Sequence, residues 1–494
     1  MNSQIQNAAR IVPSARQLAW QELEFYSFIH FGVNTYTDKE WGLGDEDPAI
    51  FNPVEFDAKQ WVDVCKSAGM KGLILTCKHH DGFCLWPSAF TEHSVKNSPW
   101  RGGNGDLVKE VANACREGGI RFGVYLSPWD RHDQRYGSSL YNDYFKDQLR
   151  ELLTQYGDIF CVWFDGACGE GPNGLKQVYD WDGYYEVIRE CQPNAVISVC
   201  GPDVRWCGNE AGHTRESEWS VVPAELQDCE KIQENSQHVD DGEFSKRANS
   251  RDENLGSREA IDGKDKLIWY PAEVNTSIRP GWFYHASEDE QVRSLEELLN
   301  IYYKSVGGNA TFLLNLPPDK RGLIHENDAK RMAELGQTIR STFQHNLASH
   351  AHASATEILN QNHAVDRLFD GNKSTFWCPR EGTEHASIEI DLNQEQTFDT
   401  IVLKEHVLTG QRIEKLKLEY LDQATWKPLT ECTTIGYKRI CRFTSVSARH
   451  IRLTIEESRL FPTLSAFEVY LRPRSFSALK CKDGVLAHPG HPHQ

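Results

Sequence analysis

Eight short apolar runs, most of them separated by room for one amphipathic helix, limit what this chain can fold into. They lie at 25–32, 72–77, 121–127, 159–164, 195–200, 219–223 (the weakest), 266–270 and 311–316. None alternates polar with apolar residues, so each reads as a strand covered by helices on both faces. The intervals carry helical spacing with glycine stops. Trp61, Val64, Cys65 and Ala68 share one face of 56–69, and 107–115 ends at Gly118-Gly119. Segments 144–156, 181–191 and 291–305 follow the same pattern. Strands and helices alternating over roughly 340 residues predict an α/β fold of the (β/α)8, or TIM-barrel, type. The polar stretch 228–264 reads as an insertion or lid between the sixth and seventh strands.

Past Gly336 the period changes. Segments 387–392, 400–403, 415–420, 450–455 and 466–471 alternate with period two at short intervals, which predicts an antiparallel β-sandwich. The expected division is a barrel at 1–340, a linker at 341–360, a sandwich at 361–475 and a tail at 476–494. A chain of 494 residues is long enough for two cores.

Charge and cysteine usage narrow the function classes. A net charge of −18 argues against nucleic acid and anionic membrane as partners, since binding them rests on Lys and Arg at phosphates. The 14 cysteines form no CxxC pair, and several sit in apolar runs, which favours reduced, buried thiols. No run is long enough to span a membrane, and the first 19 residues lack the apolar stretch of a signal peptide. The compartment stays open: cytoplasmic, or exported with a signal removed.

In a barrel of this class, working residues stand at the C-terminal ends of strands. The strand ends and the loops after them supply His30, Glu40 and Trp41, His79 and His80, Tyr125, Asp165, Arg205, Glu210 and Trp282. Histidine and arginine suit hydroxyl groups, and indole suits the apolar face of a ring-shaped polar ligand. His79 and His80 are adjacent, and neighbours on a strand point to opposite faces, so both are not readily core. Asp165 closes the run Val162-Trp163-Phe164-Asp165-Gly166, where a strand fixes the carboxylate's direction and glycine lets the chain turn away. Paired carboxylates of this kind cleave glycosides. Asp165 is the first member; Glu210, Glu216 and Glu218 compete for the second. A metal site is the rival for His79, His80, Asp81 and Asp165, but these residues show neither HxH nor HExxH spacing, and we expect none. No GxSxG elbow is present.

The motifs Phe28-Ile29-His30-Phe31-Gly32, Glu40-Trp41-Gly42, Lys78-His79-His80-Asp81-Gly82-Phe83, Tyr125-Leu126-Ser127-Pro128-Trp129 and Val162-Trp163-Phe164-Asp165-Gly166 together resemble the α-L-fucosidases of glycoside hydrolase family 29. The resemblance implies a retaining exo-α-L-fucosidase with Asp165 as nucleophile. His30, Glu40, Trp41, His79, His80, Tyr125, Arg205 and Trp282 are then the fucose-binding residues. Segments 208–212 and 217–220 resemble the branch acting on α-1,3/1,4-linked fucose of Lewis-type glycans, which implies Glu210 as acid/base. The alternatives are a fucosidase of relaxed linkage specificity, with Glu216 or Glu218 as acid, and a non-catalytic fucose-binding protein. The two-carboxylate reading expects no cofactor for catalysis; segments 368–377 and 448–453 resemble discoidin-like (galactose-binding-like) carbohydrate-binding domains, which allows a structural calcium at Asp370-Gly371-Asn372. The implied partner is a fucosylated oligosaccharide or glycoconjugate.

Overall fold

The computed structural model describes residues 3–236 and 254–473. The expected tail at 476–494 and the middle of the expected lid lie outside them.

Eight parallel strands form the barrel, in the order β5-β4-β3-β2-β1-β10-β9-β6. They are β1 (Phe25–Ile29), β2 (Gly72–Lys78), β3 (Arg121–Leu126), β4 (Cys161–Phe164), β5 (Val196–Val199), β6 (Arg205–Trp206), β9 (Ala272–Ser277) and β10 (Thr311–Asn315). A parallel bridge between Ser198 and Val204 brings β5 to the start of β6 and nearly completes the ring. Helices Ala58–Ser67, Leu107–Gly118, Ser139–Gln155, Trp181–Cys191 and Leu295–Ser305 fill the intervals as their apolar faces require. Asp57, Asp106 and Asp180 cap three of them by accepting first-turn N–H groups.

Two strands depart from the sequence expectation. The run at 219–223 and the run at 266–270 do not enter the barrel. They form β7 (Val221–Pro223) and β8 (Leu267–Trp269), an antiparallel pair of their own. The sixth barrel strand is instead the two-residue β6, and the seventh is Ala-Glu-Val-Asn-Thr-Ser at β9. Its polar side chains face the barrel interior, where partners wait. Glu273 accepts from Tyr26 Oη and from Trp163 Nε1, and Asn275 Oδ1 accepts from Trp206 Nε1 at 3.1 Å. A rule that searches for apolar runs passes over such a strand.

The second unit is antiparallel, ordered β11-β12-β15-β13-β14 with β16 on the far half of β12. Its strands are β11 (His352–Ala355), β12 (Ala386–Glu405), β13 (Ile413–Asp422), β14 (Thr425–Cys432), β15 (Arg439–Ser458) and β16 (Leu464–Tyr470). The 341–360 linker therefore holds the first sandwich strand, and the helix Glu326–Phe343 closes the barrel just past 340. Register shifts along β12 let the long strands bend, so that Ile388, Leu403, Leu416, Ile451, Phe467 and Trp377 meet in one core. All the described cysteines are free thiols, most of them buried.

Candidate active site

At the C-terminal mouth of the barrel lies a narrow, half-open pocket lined by polar and aromatic side chains, the composition usual for small-molecule sites. His30, Glu40, Trp41, His79, His80, Asp165, Glu210 and Trp282 line it, with Phe28, Trp163, Ala167 and Asn275. Parallel strands converge there from residues far apart in sequence: β1 delivers His30, β2 the histidine pair and β4 Asp165.

Asp165 stands one residue past β4, its side chain 23% exposed. Oδ1 accepts the Ala167 N–H at 2.8 Å, and Oδ2 accepts the Tyr125 hydroxyl at 2.9 Å. These bonds fix both oxygens before a ligand arrives. Burial raises the carboxyl's pKa, and the same bonds hold it back. Tyr125 is fully buried beneath Asp165 and does not line the cavity, so it aims the carboxylate from below.

His79 and His80 lie just beyond β2, where strand alternation no longer separates neighbours, and both rings reach the cavity with centroids 4.1 Å apart. Their ligand atoms and that of Asp165 lie within 4.8 Å of one another, closer than the sequence spacing suggested. Burial drives the pKa of His79 well down, with His80 and His30 adding to it, and pushes His30 and His80 down to about 3. The rings are neutral at ordinary pH.

The hydrogen-bond network also sets which nitrogen carries the proton. Ser127 Oγ–H donates to the Trp129 carbonyl at 2.6 Å, so its lone pair accepts Nδ1–H of His80 at 2.7 Å. Asn315 Nδ2 donates to the Trp282 carbonyl at 2.7 Å and to Ser277 Oγ at 2.9 Å, so its Oδ1 accepts Nδ1–H of His30 at 2.8 Å. Both histidines keep an unprotonated Nε2. His80 Nε2 stands 3.7 Å from Asp165 Oδ2; with a neutral ring this is no ion pair but two acceptors awaiting one O–H donor.

Glu40 is buried, and its carboxylate takes the N–H groups of Trp282 at 2.9 Å and Phe283 at 3.2 Å. His285 bridges Glu40 and Asp38 at 2.8 and 2.7 Å. Glu40 thereby fastens the loop that presents Trp282. The Trp282 indole stacks obliquely on His30 at 5.1 Å and gives its N–H to Glu210 Oε2 at 3.2 Å. Trp41 meets His80 and Trp129 edge-on.

Glu210 lies on the loop after β6, between Gly208 and Gly212, whose φ of 101° and 81° are glycine conformations. Glu216 is exposed, and Glu218 is buried against Arg205 and Arg215, so neither lines the cavity. Arg205, expected at the sugar, is spent on that pair and on the Tyr270 and Trp219 carbonyls. It stands at the entry of β6 rather than at its exit. Asn275, Asn315 and Ser127 were missed. For Asn315 and Ser127 the signal was one polar residue near the end of an apolar run; Asn275 left none.

Residues 17–342 match the family model described as alpha-L-fucosidase. The chain belongs to the α-L-fucosidase family. Residues 350–466 match the F5/8 type C domain, the discoidin-like class. Among relatives, alpha-L-fucosidase 1 of Arabidopsis thaliana is 40% identical over 93% of this chain and 87% of its own. The GH29 fucosidase of Ruminococcus gnavus, solved in complex with fucose, is 33% identical with a TM-score of 0.81, covering 94% of this chain and 96% of that one. A glycoside hydrolase 29 family member from an unknown rumen bacterium is 40% identical with a TM-score of 0.77, over 94% of this chain and 78% of the other. As an α-L-fucosidase the chain is a glycoside hydrolase.

Proposed function

We propose that this fucosidase works by double displacement, with Asp165 as nucleophile and Glu210 as acid/base. Asp165 attacks the anomeric carbon of a terminal α-L-fucose as the bond to the leaving oxygen breaks. The proton of Glu210 passes to that oxygen. Water then attacks the same carbon and gives its proton to Glu210, while Asp165 departs as carboxylate and fucose leaves with its configuration retained. The unprotonated Nε2 atoms of His30 and His80 accept fucose hydroxyls, and the Trp41 and Trp282 rings pack on its apolar edge. The observation carrying this reading is that Asp165 and Glu210 share one cavity, while Glu216 and Glu218 turn away from it. Proton NMR of the first-formed product tests it. We expect α-L-fucose before mutarotation, and β-L-fucose would overturn the retaining assignment.

For linkage we propose α-1,3/1,4-fucosyl groups of Lewis-type branched glycans, on the motifs around Glu210. An α-1,2-linked trisaccharide, its α-1,3 isomer and branched Lewis antigens form the panel. Equal rates across it would instead mark relaxed specificity. Catalysis on this reading needs no cofactor. A calcium ion at the Asp370 loop is proposed as a structural ligand. There the carboxylate accepts from Thr375 Oγ1 at 2.6 Å and the Asn372 N–H at 2.8 Å, one bond to each oxygen, which leaves a lone pair on each for a cation.

A further inference from the structure

The sandwich meets the barrel where the chain runs on from Glu210. The Glu216 carbonyl accepts from Thr433 Oγ1 at 3.0 Å and from Arg439 Nη1 at 2.9 Å. The Glu218 carbonyl accepts from Gln411 Nε2 at 3.1 Å and from Asn309 Nδ2 at 2.9 Å. Gln411 Oε1 in turn takes the Ser220 N–H at 2.8 Å. Thr433 and Arg439 flank the β14–β15 connection, and Gln411 precedes β13. All three belong to the sandwich.

The segment they grip closes the base of the Glu210 loop. The Glu218 carboxylate binds Arg205 and stands 3.6 Å from Arg215. Arg215 Nη1 donates to the Cys207 carbonyl at 2.9 Å, which ties the two ends of the loop together. Above that knot, Asn209 Oδ1 takes the Ala211 and His213 N–H groups at 3.1 and 3.0 Å. Glu210 projects between the two positive-φ glycines towards Trp282. The tip of the loop is anchored by an Ala211–Thr276 bridge to β9 and by the Trp282–Glu210 bond; with a positive-φ glycine on each side, its path depends also on what holds its base.

We propose that Gln411, Thr433 and Arg439 are positioning residues for Glu210: the sandwich is a strut for the loop that protonates the leaving group. This rests on the reading of Glu210 as acid/base. A displacement of about 1 Å in such a group costs on the order of a hundredfold in rate. The test compares two substrates in the full-length protein. One is a fucosylated oligosaccharide, whose leaving alkoxide needs a proton. The other is 2,4-dinitrophenyl α-L-fucoside, whose phenolate needs none; kcat/KM reports its ester-forming step alone. For the double variant Thr433→Val/Arg439→Met, and for Gln411→Leu, we expect kcat/KM on the oligosaccharide to fall about 10- to 100-fold. The value on the dinitrophenyl fucoside should stay within about threefold, and Arg439→Lys should restore most of the loss. Equal losses on both substrates, or none on either, overturn the strut. Glu210→Gln is the control. If it lacks the leaving-group selectivity, the acid assignment falls and the strut with it. If it shows the selectivity and the sandwich variants do not, only the strut falls.

Discussion

Asn315 shows how much one amide decides. Its nitrogen is committed to the Trp282 carbonyl and its oxygen to His30, so the neutral His30 ring presents Nε2 as an acceptor and not as a donor. An aspartate there would place an anion on Nδ1, hold a second proton on the ring and reverse that polarity. In the native protein burial pushes His30 down to about 3, so it stays neutral across the working range. For Asn315→Asp we expect the acid limb of kcat/KM to move to higher pH, with roughly tenfold loss per unit below the raised pKa. A pH–rate profile from 4 to 8 checks this; one that overlays the native curve contradicts it. At this scale the sequence was informative where chemistry needs a conspicuous residue. His30, His79, His80, Asp165 and Trp282 stand where strand-end reasoning put them. Arg205 misled because a cation near a strand reads the same at either end. Asn275 was silent because no periodicity marks an inward amide.

Barrel strands were legible when they were apolar and invisible when they were not. β7 and β8 drew attention through Val221, Val222, Leu267 and Ile268, yet they only pair with each other. β9 hid behind Glu273 and Asn275, whose partners come from other strands and are unknown to a local pattern. The lock between the loops at 38–41 and 281–285 was equally hidden, being long-range. Burial alone would lower the pKa of His285, but its bonds to Glu40 and Asp38 outweigh that and raise it to about 9. Since the unfolded value is about 6.5, the imidazolium favours the folded state. That contribution is complete below about pH 6.5 and is lost as pH climbs through about 9. We expect the melting temperature to fall by a few degrees between pH 7 and 9.5, and His285→Gln to flatten that slope. A slope unchanged in the variant would assign the titration elsewhere.

Barrel and sandwich are not beads on a string. Val402, Ile440 and Tyr470 of the sandwich are counted within the barrel's own hydrophobic core. Gly410 lies so close to the Ala9 carbonyl oxygen that a Cβ there would stand 2.0 Å from it. Lys438 pairs with Glu24 at 2.6 Å beneath the barrel. We therefore expect a single calorimetric transition for the full chain. A chain ending at residue 345 should fail to accumulate as soluble protein, because it exposes apolar surface built to be covered. A soluble, cooperatively melting fragment would show that the two cores are separable. Two units were readable from the change of period near residue 336, but their joint was not. The β14–β15 connection carries no signature of what it grips. Its grip bears on descent: a recombination event that exchanged the appended domain for a foreign one would carry off Gln411, Thr433 and Arg439, leaving the Glu216 carbonyl without these donors and the Glu218 carbonyl with Asn309 in place of two. The two halves are heritable as one piece, and a designer grafting this barrel onto another partner has to move that seam with it.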